Sequence, residues 1–299
     1  MRSRRSAEFM KIAVTGATGF LGRAVVPVLR SRSHEVIALD RTSIGDITAV
    51  TDWPARLAGM DAVVHLAALA HAHGVDEARL HEVNVGASVA IGKAAAAAGV
   101  GMLFISSVKV LGEETPAQPF SETSTPAPQD AYGRAKAAAE AQLRAIPGLR
   151  LTVLRPPLVY GPGVRANFLS LLNAVARGWP LPLASIDNRR SLIGVGNLAD
   201  VVARCVEAPQ SAGKIFMVSD SAPLSTPALC RAMAGALGRT ANLFPFPPAL
   251  LELAPPARKL TRSLVINDAA IRRELGWTPP QSFEEGLRLT AEWFRARGG

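Results

Sequence analysis

Short apolar runs alternate with helix-length stretches from Lys11 to about Pro156, and this rhythm restricts the fold more than any other feature of the chain. Residues 11 to 15 (Lys-Ile-Ala-Val-Thr), 34 to 39 and 61 to 66 are strand-length apolar runs. Between them lie stretches 20 to 32 and 76 to 98, long enough for helices; the second is rich in Ala, Val and Gly after Asn84, as close packing on a sheet requires. Further strands are expected at 101 to 106 and 149 to 155. Parallel strands need crossovers, and crossovers that cover both faces give an α/β fold with a doubly wound parallel sheet of Rossmann type.

After Pro156 the rhythm breaks. Residues 157 to 191 are rich in Pro, Gly and Asn, and Thr240 to Pro256 is rich in proline. A helix at 196 to 208 and a strand at 214 to 218 can return to the sheet. The expected organisation is a dinucleotide-binding unit over 10 to 165 with a return segment at about 192 to 218, and a smaller, substrate-binding C-terminal lobe from 166 to 191 and 219 to 299. The first nine residues lack the apolar segment of a signal peptide and Met10 directly precedes the first strand, so residues 1 to 9 read as a disordered or non-native extension.

Composition narrows the partners. Hydrophobic residues make up 48% and charged residues 19% of the 299, which is globular, and no apolar run reaches the roughly 18 residues that span a bilayer. Cys205 and Cys230 show neither metal-ligand nor redox spacing, which fits free thiols in a reducing cytoplasm. The net charge of +9 is spread along the chain with no basic block, so an acidic small molecule is expected as partner, without nucleic acid or membrane.

Thr15-Gly16-Ala17-Thr18-Gly19-Phe20-Leu21-Gly22 places three glycines where the first strand turns into a helix. A dinucleotide pyrophosphate needs such a turn, because the backbone must approach it closely and offer the free N–H groups of a helix start. Asp40, at the end of the second strand, can accept hydrogen bonds from the adenosine ribose and repel a 2′-phosphate, which favours NAD over NADP; Arg41 beside it pulls the other way. An ordinary solvated turn Asp is the alternative. Asp46 and Ile47 are candidates for the adenine, or a loop acid before a core residue.

Tyr132-Gly133-Arg134-Ala135-Lys136 sets a phenol and an ammonium four residues apart on one helix face, after Asp130 as N-cap. A lysine nearby favours the phenolate and brings tyrosine towards acid/base range. Ser106 and Ser107 end the strand at 101 to 106, on the carboxyl edge where a doubly wound sheet holds its ligand, and Ser107 can hydrogen-bond a reacting carbonyl or hydroxyl. Taken singly each pattern has an ordinary reading: a turn, a surface pair. Their order along the chain is what gives them weight.

With these motifs the chain resembles the extended short-chain dehydrogenase/reductases, within the NAD-dependent epimerase/dehydratase family, over nearly its full length. The resemblance runs through Thr15 to Gly22, His65-Leu66-Ala67-Ala68, Asn84, Ser106-Ser107, Tyr132 to Lys136 and Arg155-Pro156-Pro157-Leu158-Val159-Tyr160-Gly161-Pro162-Gly163. It implies Ser107, Tyr132 and Lys136 as the catalytic set. It also implies that Gly16, Thr18, Gly19, Phe20, Leu21, Leu66, Ala67, Ala68, Asn84, Ser106, Tyr132 and Lys136 line the cofactor, Lys136 at the nicotinamide ribose, with the Pro157 to Leu158 backbone by the nicotinamide. The segment Ile271 to Pro279 and Phe283 to Leu287 resembles the closing part of these enzymes.

Nucleotide-sugar members follow the Arg-Pro segment with an Asn at a helix start and, later, an Arg that together hold the diphosphate; the matching positions are Asn167 and Arg190, with Arg189 as a second cation. An amide and a fixed guanidinium fork suit a diphosphate, although an N-cap and a solvated turn would use the same residue types. The related 4,6-dehydratases carry an Asp-Glu pair after the catalytic Ser/Thr, where this chain has Val108 and Lys109. The resemblance therefore implies 4-epimerisation or 4-keto reduction of a UDP-hexose or UDP-N-acetylhexosamine, in surface polysaccharide biosynthesis and as a homodimer. Two rivals are a reductase of steroid or phenolic ketones, which would want an apolar pocket, and an inactive nucleotide sensor, which would not need the Ser, Tyr and Lys together. His71 and His73, near Asp76 and Glu77, lack a third fixed ligand and read as solvated or pocket-lining residues rather than a metal site.

Overall fold

The computed structural model describes residues 9–70, 76–115, 117–220, 222–254 and 257–298. Six parallel strands build the main sheet: β1 (Lys11–Thr15), β2 (Glu35–Leu39), β3 (Ala62–His65), β4 (Gly101–Ile105), β5 (Leu151–Arg155) and, after a pair of short strands β6 (Leu158–Tyr160) and β7 (Leu192–Gly194), the return strand β8 (Ile215–Met217). Their order is β2-β1-β3-β4-β5-β8, while β6 and β7 pair separately. The chain leaves β1 for β2 on one side and reaches β3 on the other, so the order reverses between β1 and β3, where a doubly wound sheet opens its ligand crevice. Each expected strand is present within a residue or two of its expected bounds.

Side chains alternate between the two faces of β1. Ile12 and Val14 join a core with α1 (Gly22–Ser31), whereas Ala13 joins the opposite core. That second core is completed by α2 (Arg41–Ile44) at its margin, α3 (Trp53–Leu57), α4 (Glu77–His81), α5 (Ala87–Ala98) and α6 (Ala131–Arg144). Burial of both faces explains why the strands read as near-continuous apolar runs. The stretch 76 to 98 is not one helix: a π-helical turn over Glu82–Gly86 separates α4 from α5 and carries Asn84.

The segment expected to be irregular after Pro156 contains β6 and α7 (Ala166–Ala176); then α8 (Val195–Val206) crosses back to β8 and packs beside α1. The remaining helices, α9 (Thr226–Ala236), α10 (Pro248–Leu251), α11 (Arg258–Thr261), α12 (Ala269–Leu275) and α13 (Phe283–Ala296), follow β8. A third hydrophobic cluster joins Tyr160, Phe168, Leu172, Met233, Phe283 and Leu287. Asp220 ties it to the sheet, accepting from Tyr160 Oη at 2.8 Å, Gly194 N at 2.6 Å and Asn197 Nδ2 at 2.8 Å. Burial raises the Asp220 carboxyl above its ordinary range while those three bonds oppose it. No helix among the described residues is long and apolar enough to cross a membrane.

Candidate active site

The glycine turn lies at the carboxyl end of β1. Gly16 adopts φ +68°, and a Cβ on it would meet Ala67 N at 2.8 Å; a Cβ on Gly22 would stand 2.3 Å from Gly16 O. Three backbone segments therefore meet where only hydrogen fits, and no side chain caps the start of α1. Such a cradle fits a dinucleotide pyrophosphate. Thr18 and Gly19 are exposed, Phe20 and Leu21 half-buried, and Phe20 packs against the third cluster.

The expected adenosine residues have local partners. Asp40 is the N-cap of α2, its Oδ1 accepting from Thr42 N at 3.0 Å and Ser43 N at 3.1 Å. Arg41 is exposed in the first turn. Asp46 accepts from Thr48 N at 3.0 Å and pairs with Arg79, contacts that hold its carboxyl below the usual range. Ile47 packs against the core of the α5 face.

Beneath the turn runs a buried polar chain that sequence reasoning missed. Ala67 N donates to Thr15 Oγ1 (3.3 Å), which contacts His65 Nδ1 at 2.7 Å; His65 Nε2 contacts Ser88 Oγ at 2.9 Å, and Ser88 donates to Asn84 O at 2.8 Å. Since Ser88 spends its proton on a carbonyl, it accepts from His65 Nε2–H, and Nδ1 then accepts from Thr15. One neutral tautomer satisfies every group, and burial, with Lys136 adding, pushes the imidazole down to about 3. Asn84 is wholly buried and turns its amide onto the backbone of Leu69, accepting from Leu69 N at 2.8 Å and donating to Leu69 O at 3.1 Å. Its contact is thus with the loop that follows Leu66 to Ala68.

The Ser, Tyr and Lys side chains come from the end of β4 and from α6, which a hydrogen bond joins. Lys136, buried on α6, donates to Ile105 O at 2.8 Å at the end of β4, its Nζ 4.5 Å from the Phe104 ring centroid and 5.9 Å from that of Tyr132. Asp130 caps α6 through Gly133 N at 2.7 Å, and a Cβ on Gly133 would meet Lys109 O at 2.7 Å, which seats the helix against the turn after Ser107. Ser107 Oγ accepts from Lys109 N at 3.2 Å, and Ser106 Oγ is buried without a hydrogen-bond partner. The expected lowering of Tyr132 by its lysine is corrected here. Burial, then the Asp130 charge, raises Tyr132 above its ordinary range, and burial lowers Lys136 to about 7 while the Glu140 charge opposes that. Burial is the larger cause at both groups.

Pro157 and the half-buried Leu158 lead from β5 into β6. Asn167 is exposed, one residue after Ala166 at φ +53°; the N-cap of α7 is Arg165. Arg190 is half-buried and donates to Arg262 O at 2.9 Å; burial lowers its guanidinium while Glu113 counters that. Arg189 is exposed, and its backbone N donates to Ser263 Oγ at 3.0 Å. Val108 is buried, and Lys109 pairs with Glu113 at 3.0 Å and with Asp130. His71 and His73 lie outside the described residues.

Residues 12–219 match the NAD dependent epimerase/dehydratase family. The chain is 37% identical to a UDP-glucose 4-epimerase of Vibrio cholerae, covering 95% of each protein. It is 30% identical to a 2-alkyl-3-oxoalkanoate reductase of Stenotrophomonas maltophilia, over 93% of this chain and 98% of that one. Among solved structures, a UDP-N-acetylglucosamine 4-epimerase from Bacillus cereus superposes with a TM-score of 0.80 at 22% identity, over 96% of this chain and 99% of the other, a likeness of fold. The chain belongs to the NAD dependent epimerase/dehydratase family.

Proposed function

We propose that this member of the family is an NAD-dependent 4-epimerase of a UDP-hexose or UDP-N-acetylhexosamine. The observation that carries the reading is the junction of α6 with β4, where the Lys136 bond to Ile105 O brings the Tyr132 helix to the strand end that bears Ser107. The extent of identity to the Vibrio cholerae enzyme supports it.

Gly16, Thr18, Gly19, Phe20 and Leu21 hold the pyrophosphate, Asp40 the adenosine ribose, and Leu66 to Ala68, Ser106 and Pro157 to Leu158 the nicotinamide side. Bound there, NAD supplies the acceptor and donor of hydride for the sugar C4. Ser107 orients the C4 oxygen, and Tyr132 takes the proton from that oxygen as C4 is oxidised and returns it after the sugar has turned over. Lys136 supplies positive charge behind the phenol. Asn167 and Arg190, with Arg189, grip the diphosphate. Elimination needs an additional acid and base; a buried Val108 and a paired Lys109 supply neither.

A second reading, reduction of a non-sugar ketone, is favoured by the Stenotrophomonas maltophilia relative. Against it, a half-buried guanidinium at Arg190 suits an anionic substrate better than an apolar one. The test is to incubate the purified protein with UDP-N-acetylglucosamine or UDP-glucose, adding no cofactor, and to follow the C4 configuration by proton NMR. The galacto epimer is expected. Turnover confined to a 4-keto sugar with added NADH would make the protein a 4-ketoreductase instead, and sedimentation analysis tests the homodimer that forms part of this proposal.

A further inference from the structure

Tyr132, Lys136 and Glu140 recur every four residues and so share one face of α6. The Glu140 carboxylate accepts from Arg155 Nε at 3.0 Å and from Nη2 at 2.5 Å, a two-point grip, and both side chains are only 4% exposed. Arg155 is the last residue of β5, directly before Pro156 and Pro157. At the same strand end, Ser106 N donates to Leu154 O at 2.8 Å and Val108 N to Pro156 O at 3.0 Å. One ion pair thus fastens the helix carrying the phenol and the ammonium to the backbone that leads to Pro157, beside the serines of β4.

Stability alone does not account for such a pair. Taking two charges out of water costs about as much as their attraction returns, and an apolar pair of the same volume would serve as well. Arg155 Nη1 is in addition buried without a hydrogen-bond partner. What an apolar pair could not give is a charge near Lys136, whose buried ammonium has Ile105 O, a neutral carbonyl, as its hydrogen-bond acceptor. The titratable groups that act on it or face it are Tyr132 and Glu140 on its own helix and His65 at the end of β3, and Arg155 at the end of β5 reaches it only through Glu140. Of these Glu140 is the anion that favours the protonated lysine, and its effect on Lys136 is in that direction.

We propose that Glu140 and Arg155 are a positioning pair for proton transfer: the carboxylate, one turn below Lys136, keeps the ammonium charged behind Tyr132, and Arg155 fixes that carboxylate and limits its pull. The proposal rests on the reading of Tyr132 as the acid/base. It predicts opposite effects from the two halves of one ion pair, which a purely structural brace would not give.

The test reads Lys136 directly. The chain has six lysines, so a ¹³Cε-lysine NMR titration of the purified protein resolves Lys136, identified by loss of its signal in Lys136→Met. Glu140→Gln should move the Lys136 midpoint down by about one pH unit, and Arg155→Met, which frees the carboxylate for the lysine, should move it up. If Glu140→Gln does not fold, Arg155→Met alone decides. Midpoints that stay at the wild-type value, or that move the same way in both variants, overturn the proposal. In turnover, Glu140→Gln should shift the pH profile of kcat and leave the KM for the sugar nucleotide unchanged. Because the titration needs no turnover, a protein that shows these shifts but epimerises nothing would refute the proposed function and leave the electrostatic pairing intact.

Discussion

Replacing His65 with Leu tests the buried polar chain under the glycine turn. The imidazole is wholly buried, bonded to Thr15 at 2.7 Å and Ser88 at 2.9 Å and stacked on Phe104 with ring centroids 5.9 Å apart. Leucine fills much of the space but leaves two hydroxyls short of a partner, at about 1–3 kcal/mol each, so a loss of roughly 2–6 kcal/mol is expected at neutral pH. The pH dependence is more diagnostic. An unfolded histidine titrates near 6.5, whereas burial holds His65 down to about 3, so between those values the unfolded chain binds a proton that the folded chain refuses. The stability that His65 contributes is thus complete above 6.5 and is lost as the pH falls. Each unit is worth about 1.4 kcal/mol, so wild-type protein loses roughly 2–3 kcal/mol through this side chain on going from neutrality to about pH 4.5. Urea unfolding followed by circular dichroism at the two pH values measures that loss, and His65→Leu should lack this share of it. An equal loss in both proteins would refute the buried, neutral assignment.

Three further outcomes follow from the site. Tyr132→Phe should lower turnover by about 10²–10⁴-fold, the usual share of a positioned acid/base, with NAD affinity held within a factor of about three; unchanged turnover would remove Tyr132 from the chemistry. Gly22→Ala should weaken NAD binding by about tenfold or more in calorimetry, because its Cβ would stand 2.3 Å from Gly16 O and 2.5 Å from Ala17 O and must displace the turn, and wild-type affinity would contradict the cradle. Arg190→Met should raise the KM for the sugar nucleotide by about tenfold, the worth of one charge-assisted hydrogen bond, with a smaller change in kcat, whereas an unaltered KM would move the diphosphate elsewhere.

Much of this architecture was legible because its signals are local and strong. The strands of the main sheet are buried on both faces, so they show as apolar runs, and the glycine turn and the Asp130 cap carry their own residue types. The π-helical turn over Glu82–Gly86 escaped because apolar spacing does not distinguish it from α-helix, and the Asn84 bonds to Leu69, fifteen residues away, leave no local trace either. Strands β6 and β7 have three residues each and pair across more than thirty, too little for any periodicity to report. His65 was visible only inside a motif, since nothing in its neighbours' identity announces Thr15 and Ser88 as partners. Glu140 had a signal, the third step of the row Tyr132, Lys136, Glu140, but its meaning depends on Arg155, fifteen residues away on another element. The same long-range dependence explains the Tyr132 correction, because burial comes from the assembled fold.

The central claim is that hydride leaves C4 of the sugar and returns to it in one active site. The measurement is turnover of a UDP-hexose deuterated at C4, with no cofactor added, read by NMR of both sugar epimers. The account predicts a galacto and gluco mixture that keeps its deuterium at C4. Deuterium lost to water, or a sugar that never changes configuration, would contradict it.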